Sequence, residues 1–251
     1  MEIKVELIPV FETNYIFLLT TTESKQAVIV DPGESAACIQ ELNDRKLDLI
    51  AILITHHHAD HIDGIEGLKN AFPRAKVFAP FKNKDHIPAV DFYLKDSQAL
   101  NLDNFGKFKV LELPGHTLGH IGYYHEQQNL LFSGDVLFGL GCGRLFEGTP
   151  QVKYQTLQIL KQLPPQTQIF CAHEYTETNA NFVEELVRQK KIPQSFDASL
   201  FAGYKEELLL KRKKRLPTVP LNLNHELNFN PFLLSRTVDE FTELRALRNN
   251  F

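Results

Sequence analysis

The sequence predicts a mixed α/β or α+β sandwich with buried sheets, followed by a helical carboxyl-terminal part. Three observations carry this expectation. Strand-like and helix-like segments alternate through the first 175 residues, as layered α/β and α+β domains require. Residues 47–54 form a nearly continuous apolar run, which suits a strand covered on both faces. Beyond Tyr175 only helical patterns remain. The composition agrees: 251 residues, 43% hydrophobic and 23% charged, suffice for a substantial core in one large domain or two small ones and exclude disordered and fibrous classes.

In chain order, residues 3–10, 15–20 and 26–30 read as strands separated by turn signals, the last running into Asp31-Pro32-Gly33. A helix follows, with Ser35 placed to cap it. Its apolar face is Ala36, Ile39, Leu42 and Leu47, and its charged end is Asn43-Asp44-Arg45-Lys46. After the buried strand at 47–54, further strands are expected at 76–79, 108–113, 121–124, 130–132 and 168–172. A helix is expected at 152–163, stopped by Pro164-Pro165. Helices are then expected at 178–191, 201–215 and 238–248, with no strand between them. The division is therefore placed at residue 175: a domain of residues 1–175 and a helical domain of residues 176–251.

The chain carries 31 acidic and 27 basic residues, a formal net charge of -4, so no overall positive field favours nucleic acid or an anionic membrane. The charge is uneven: residues 1–200 have a net charge of -7 and residues 201–251 one of +3, so the tail can face an anionic ligand. Cys38, Cys142 and Cys171 lack C-x-x-C spacing, against a disulfide framework or a cysteine-built zinc site. No run approaches the roughly 20 apolar residues of a membrane span, and the charged amino terminus does not read as a signal peptide. A cytoplasmic location is expected.

Histidine is the informative residue. Four of the ten histidines, His56, His57, His58 and His61, fall within six residues, in Thr55-His56-His57-His58-Ala59-Asp60-His61. In extended backbone His56 and His58 point to one side and His57 to the other, with Asp60 and His61 at the turn into the next helix. Imidazoles and a carboxylate converging beyond a strand's carboxyl end suit zinc, iron or manganese. A polar loop is the bland alternative, and three histidines at this spacing with an aspartate weigh against it. The same strand-then-ligand arrangement recurs at Gly115-His116-Thr117, Ser133-Gly134-Asp135 and Ala172-His173-Glu174.

With Asp31, His56-x-His58-x-Asp60-His61, His116, Asp135 and His173 in this order, the chain resembles the metallo-β-lactamase superfamily. Within it, the chain is most similar to the glyoxalase II family, the hydroxyacylglutathione hydrolases. The likeness extends through Gly141-Cys142-Gly143-Arg144, His173-Glu174-Tyr175-Thr176 and Asn230-Pro231-Phe232 to the terminal helix. The resemblance implies a four-layer αββα sandwich with a helical substrate-binding domain. It implies two divalent metal ions, zinc first, with iron or manganese also accepted: His56, His58 and His116 on one, Asp60, His61 and His173 on the other, Asp135 bridging. Asp31 is expected to orient a ligand imidazole. His57 and His120 are expected to be structural, and His86, His125 and His225 to lie at the surface or in packing. Arg144, Tyr175, Arg245 and Arg248 match positions that grip glutathione, since an arginine fork suits a carboxylate. A solvated helix end is the alternative for the last two.

The implied reaction is hydrolysis of S-D-lactoylglutathione to D-lactate and glutathione, completing methylglyoxal removal. A hydroxide bridging the metals, with Asp60 and Asp135 beside it, attacks the thioester carbonyl. The expected partner is thus a small glutathione thioester, with no nucleic acid, no membrane and a monomeric chain. Departures from the family pattern are Phe146, where some relatives carry tyrosine, Asp63-Gly64, where a Gly-Gly pair is common, and Ala59, often a larger residue. Three other readings compete: a mono-iron persulfide dioxygenase acting on glutathione persulfide, an RNA-processing phosphodiesterase supported only by Lys211-Arg212-Lys213-Lys214-Arg215, and a non-enzymatic metal-binding module.

Overall fold

A computed structural model describes residues 2–251, and its contacts group them into two compact units. The first unit comprises residues 2–113 and Leu118–Gly134, the second Pro114–Thr117 and Asp135–Phe251. The expected boundary at residue 175 falls within the second unit.

In the first unit, strands β1 (Ile3–Val10), β2 (Asn14–Thr21) and β3 (Gln26–Val30) pair antiparallel. The strands β4 (Asp48–Leu53), β5 (Lys76–Pro80) and β6 (Phe92–Leu94) then extend the sheet in parallel from β3. Parallel neighbours need crossovers, which helix α1 (Ala36–Asp44) supplies between β3 and β4, and the short α2 (Ala59–Ile62) and α3 (Ile65–Ala71) between β4 and β5. A second, antiparallel layer contains β7 (Ala99–Leu102), β8 (Gly106–Glu112), β9 (Ile121–His125) and β10 (Leu130–Gly134).

Period-two alternation explains how both faces of the first sheet are buried. One set, including Ile16, Leu18, Ile29, Ile52 and Val77, packs with Cys38 and Leu42 of α1 and Ile65 and Leu68 of α3. The opposite set turns toward the second layer, where Phe17 meets Phe132 at 5.7 Å between ring centroids. Between the layers, the buried Tyr123 hydroxyl donates to the Ile54 carbonyl at 2.8 Å, so its polar end is satisfied inside the core.

The second unit contains the small hairpin β11 (Leu137–Phe138) and β12 (Gly141–Cys142), then α4 (Pro150–Leu160) and β13 (Gln168–Cys171). Helices α5 (Thr176–Arg188) and α6 (Ala198–Lys213) follow; then come β14 (Leu221–Asn222), α7 (Leu223–Phe229), α8 (Pro231–Leu234) and α9 (Val238–Asn249). The pairing of β14 with β13 corrects the expectation of no strand beyond residue 175; the pair is only two residues long, too short for a local pattern. Another correction concerns α1: Ser35 makes no side-chain cap, and the Glu34 carboxylate instead accepts from the Ala36 and Ala37 amides, each at 3.0 Å.

Candidate metal centre and substrate pocket

Four histidine and aspartate donors gather at the carboxyl end of β4 in the first unit. The chain leaves β4 through Thr55, and the turn of α2 brings Asp60 and His61 back beside His56. Ligand atoms of His56 and His58, of His56 and His61, and of Asp60 and His61 each lie within 4.8 Å of one another. His56 and His61 are fully buried.

Asp31 organises this group from behind. It sits in the left-handed region at φ 52°, strain of a kind that clusters at functional sites. One of its oxygens accepts from the Thr55 amide at 2.8 Å, and the other from the Thr55 hydroxyl at 2.7 Å. Because that hydroxyl proton is committed to Asp31, the His56 Nδ1 at 3.0 Å from Thr55 Oγ1 must itself donate, which leaves Nε2 as the acceptor nitrogen of the ring, 3.0 Å from His58 Nδ1. His61 Nδ1 lies 3.0 Å from Asp31 Oδ2, so it too turns its Nε2 outward, 3.6 Å from Asp60 Oδ2. Asn14 on β2 donates to Asp60 Oδ2 at 2.8 Å. Gly33 allows the close approach of this loop, since a Cβ there would overlap the Asp60 carbonyl.

The second unit assembles His116, Asp135 and His173, all buried. His116 Nδ1 donates to the Arg144 carbonyl at 2.8 Å, so its Nε2, 3.4 Å from Asp135 Oδ2, carries a lone pair toward a carboxylate. His173 Nε2 is 3.3 Å from the same oxygen. Lone pairs facing one another across such gaps fit a shared divalent cation, and both donor groups therefore pass a chemical test for metal binding.

Beside this second group lies a pocket of about 290 Å³ bounded by His116, Asp135, Arg144, Tyr175, Arg245 and Arg248 among others. None of the three arginines pairs with a carboxylate among the described residues. Arg245, almost fully buried, donates to the Cys142 carbonyl at 2.8 Å and lies over the Phe232 ring. Arg248 donates from Nε to Asn179 at 3.0 Å; burial, with the repulsion of Arg245 and Arg144, holds its guanidinium below the ordinary arginine range. Tyr175 stacks flat on His173 at 4.8 Å, and the exposed Phe146 sets its edge against His116. Gly143 is required where the loop crosses Asp135, because a Cβ would collide with the Asp135 carbonyl.

Of the histidines expected to be structural, His120 stacks on His56 at 4.6 Å, and His57 contacts Asn83 at 3.0 Å. His125 is buried, and burial lowers its pKa. The basic run closing α6 is partly engaged, with Arg212 reaching Glu174 at 3.4 Å and the Leu216 carbonyl at 2.7 Å. Sequence reasoning overlooked Thr55, Asn14, Asn179 and Lys153. Thr55 alone had a signal, its position between the buried strand and the first ligand.

The description of the metallo-beta-lactamase superfamily matches residues 9–173. A hydroxyacylglutathione hydrolase of Bdellovibrio bacteriovorus is 50% identical over 245 residues, spanning 98% of this chain and 97% of that protein. One from Vibrio campbellii is 38% identical over 266 residues, spanning 99% and 100%. Among solved structures, the BLEG-1 B3 metallo-beta-lactamase is similar with a TM-score of 0.62 at 30% identity, over 68% of this chain and 91% of that one. ETHE1 from Myxococcus xanthus gives a TM-score of 0.69 at 22% identity, over 98% and 90%, a likeness of fold alone.

Proposed function

We propose, from the premise that the chain belongs to the metallo-beta-lactamase superfamily and within it to the hydroxyacylglutathione hydrolases, that it hydrolyses S-D-lactoylglutathione to D-lactate and glutathione at a binuclear metal centre. This would place it in the cytoplasm as the closing step of methylglyoxal removal. The observation that carries the reading is the pocket in which three arginines, without carboxylate partners among the described residues, face His116 and Asp135. Such a wall suits the carboxylates of a glutathione moiety.

The two donor groups would supply seven protein ligands: His56, His58 and His116 would hold one ion, Asp60, His61 and His173 the other, and Asp135 would serve both, with zinc the first choice. When bound, divalent ions supply a water acidic enough to ionise near neutral pH and positive charge for a developing oxyanion. The chain's own residues do the rest. Asp31, directly and through Thr55, fixes the ring faces of His61 and His56. The Arg144 carbonyl does the same for His116. Residues 176–251 contribute Arg245 and Arg248, which hold the remote end of the substrate so that its carbonyl is presented to the donors. Glutathione leaves as a thiolate whose parent thiol has a pKa of about 8.5, so no strong general acid is needed. Phe146 offers no hydroxyl to the substrate and only an apolar edge beside His116.

Thioester hydrolysis measured before and after exhaustive chelation, with metal analysis of the same sample, tests this. Two metals per chain and activity that disappears with them are expected. Hydrolysis that survives complete metal removal rejects the mechanism, and a single iron with oxygen uptake on glutathione persulfide replaces it with the dioxygenase. Replacing Arg248 with alanine is expected to raise KM about tenfold while kcat stays within about threefold, since Arg248 grips a part of the substrate that does not react. An unchanged KM in steady-state assays removes Arg248 from the substrate site.

A further inference from the structure

The hairpin tip between β11 and β12 is built from an unfavourable conformation. Leu140 lies at φ 57°, a region costly for a side chain of its kind, yet it is fully buried among Ala180, Val183, Phe201 and Leu208. Three side chains hold it there from outside the hairpin. Glu226 of α7 accepts from the Leu140 amide at 2.9 Å. Asn230, at the start of α8, donates to that same Glu226 oxygen at 2.8 Å and to the Gly141 carbonyl at 3.0 Å. Asn179 of α5 donates to the Gly139 carbonyl at 2.9 Å.

On its other side the hairpin meets the arginines. The Cys142 carbonyl at its end accepts from Arg245, and the oxygen of Asn179 accepts from Arg248. Glu226 and the substrate-gripping side chains are thus hydrogen-bonded to the same short stretch of hairpin backbone, residues 139–142, Glu226 and Asn230 at Leu140 and Gly141, Arg245 at Cys142 and Arg248 through Asn179 at Gly139. Glu226 is itself fully buried, and its second carboxylate oxygen has no hydrogen-bond partner among the described residues. A carboxyl group so enclosed is costly to keep for packing alone. Burial pushes its pKa up to about 7, and the Tyr204 hydroxyl on α6 and the Cys171 thiol on β13, both raised in part by Glu226, are the titratable groups facing it.

We infer that Glu226 is a positioning residue that, through the 137–142 hairpin, sets the wall against which Arg245 and Arg248 hold the glutathione end of the substrate. The inference rests on the glutathione thioester reading above. It concerns substrate grip and not the bond-breaking step, which separates it from a role in folding.

The test uses the metal-loaded enzyme and two esters carrying the same acyl group, one on glutathione and one on a small alkyl thiol that cannot reach the arginines. Glu226→Leu removes the acceptor and orphans the Leu140 amide. It is expected to raise KM for the glutathione ester about tenfold, the scale on which a buried unpaired amide is felt, while kcat stays within about twofold. Hydrolysis of the alkyl ester should be unchanged. Glu226→Gln keeps an acceptor oxygen at the same distance and is expected to retain the parent KM. Should the leucine variant not fold, Glu226→Asp withdraws the acceptor by one methylene and carries the same expectation as leucine. An unchanged KM in the leucine or aspartate variant overturns the proposal, as does an equal loss of activity on both esters. A parent enzyme with no preference for the glutathione ester overturns instead the substrate reading beneath it.

Discussion

Asp135→Asn is expected to lower kcat/KM on a glutathione thioester by about a thousandfold or more, equivalent to about 4 kcal/mol of transition-state stabilisation. The substitution keeps the size of the side chain and removes its charge. Asp135 Oδ2 stands 3.3 Å from His173 Nε2 and 3.4 Å from His116 Nε2, so it is the group that these two histidines share. An amide there is a weaker ligand to any ion held with these imidazoles, and metal content should fall together with rate. Steady-state kinetics and metal analysis on one preparation check this. Activity within tenfold of the parent, at full metal content, would remove Asp135 from the centre.

The second large effect is on stability and runs in the opposite direction. Lys153→Met is expected to stabilise the fold at pH 7 by on the order of 3 kcal/mol, raising the melting temperature by roughly 6–12 °C. Lys153, on α4, is wholly buried, and its ammonium group has no hydrogen-bond partner among the described residues. Its stem packs against Gly115, whose φ of 132° and absence of a Cβ make room for it. Burial lowers its pKa from 10.5 to about 8, against the opposing pull of Cys142 and Asp135. The sign follows from linkage. Below about pH 8 the lysine is charged in both folded and unfolded states, and the full burial penalty is present. Between about pH 8 and 10.5 only the unfolded chain stays protonated, so the parent gains stability as pH rises. The advantage of the methionine variant should therefore shrink across that window. Thermal melts at pH 7 and pH 10 decide it: equal melting temperatures for parent and variant at pH 7 would show that the ammonium group is compensated.

Much of the layered part of the fold was legible because its strands are long or nearly continuously apolar. The 47–54 run appears as β4 with one residue trimmed from each end, and 3–10 and 26–30 coincide with β1 and β3. Phe92–Leu94 and Ala99–Leu102 were not legible. Each is three or four residues long, and each owes its strand conformation to a neighbour, β5 and β8 respectively. The cap of α1 was misplaced because serine and glutamate stand side by side at its start, and local pattern cannot say which side chain turns back on the amides.

What the sequence determined by itself is the kind of chemistry: imidazoles and carboxylates after strand ends, in an order that resembles one superfamily, with arginines in a cationic tail. These are local features, carried by residue type and spacing. Only the tertiary structure decided which nitrogen of each ring is turned toward the other donors, since that depends on the Thr55 hydroxyl, Asp31 and the Arg144 carbonyl. It alone showed that, among the described residues, the pocket arginines lack carboxylate partners and the buried Lys153 ammonium group lacks a hydrogen-bond partner, and that Glu226 accepts from the hairpin amide. The physical reason is sequence distance. Glu226 meets Leu140 across 86 residues and Arg245 meets Cys142 across 103, so the burial and pairing that set a group's charge and direction are created only by packing.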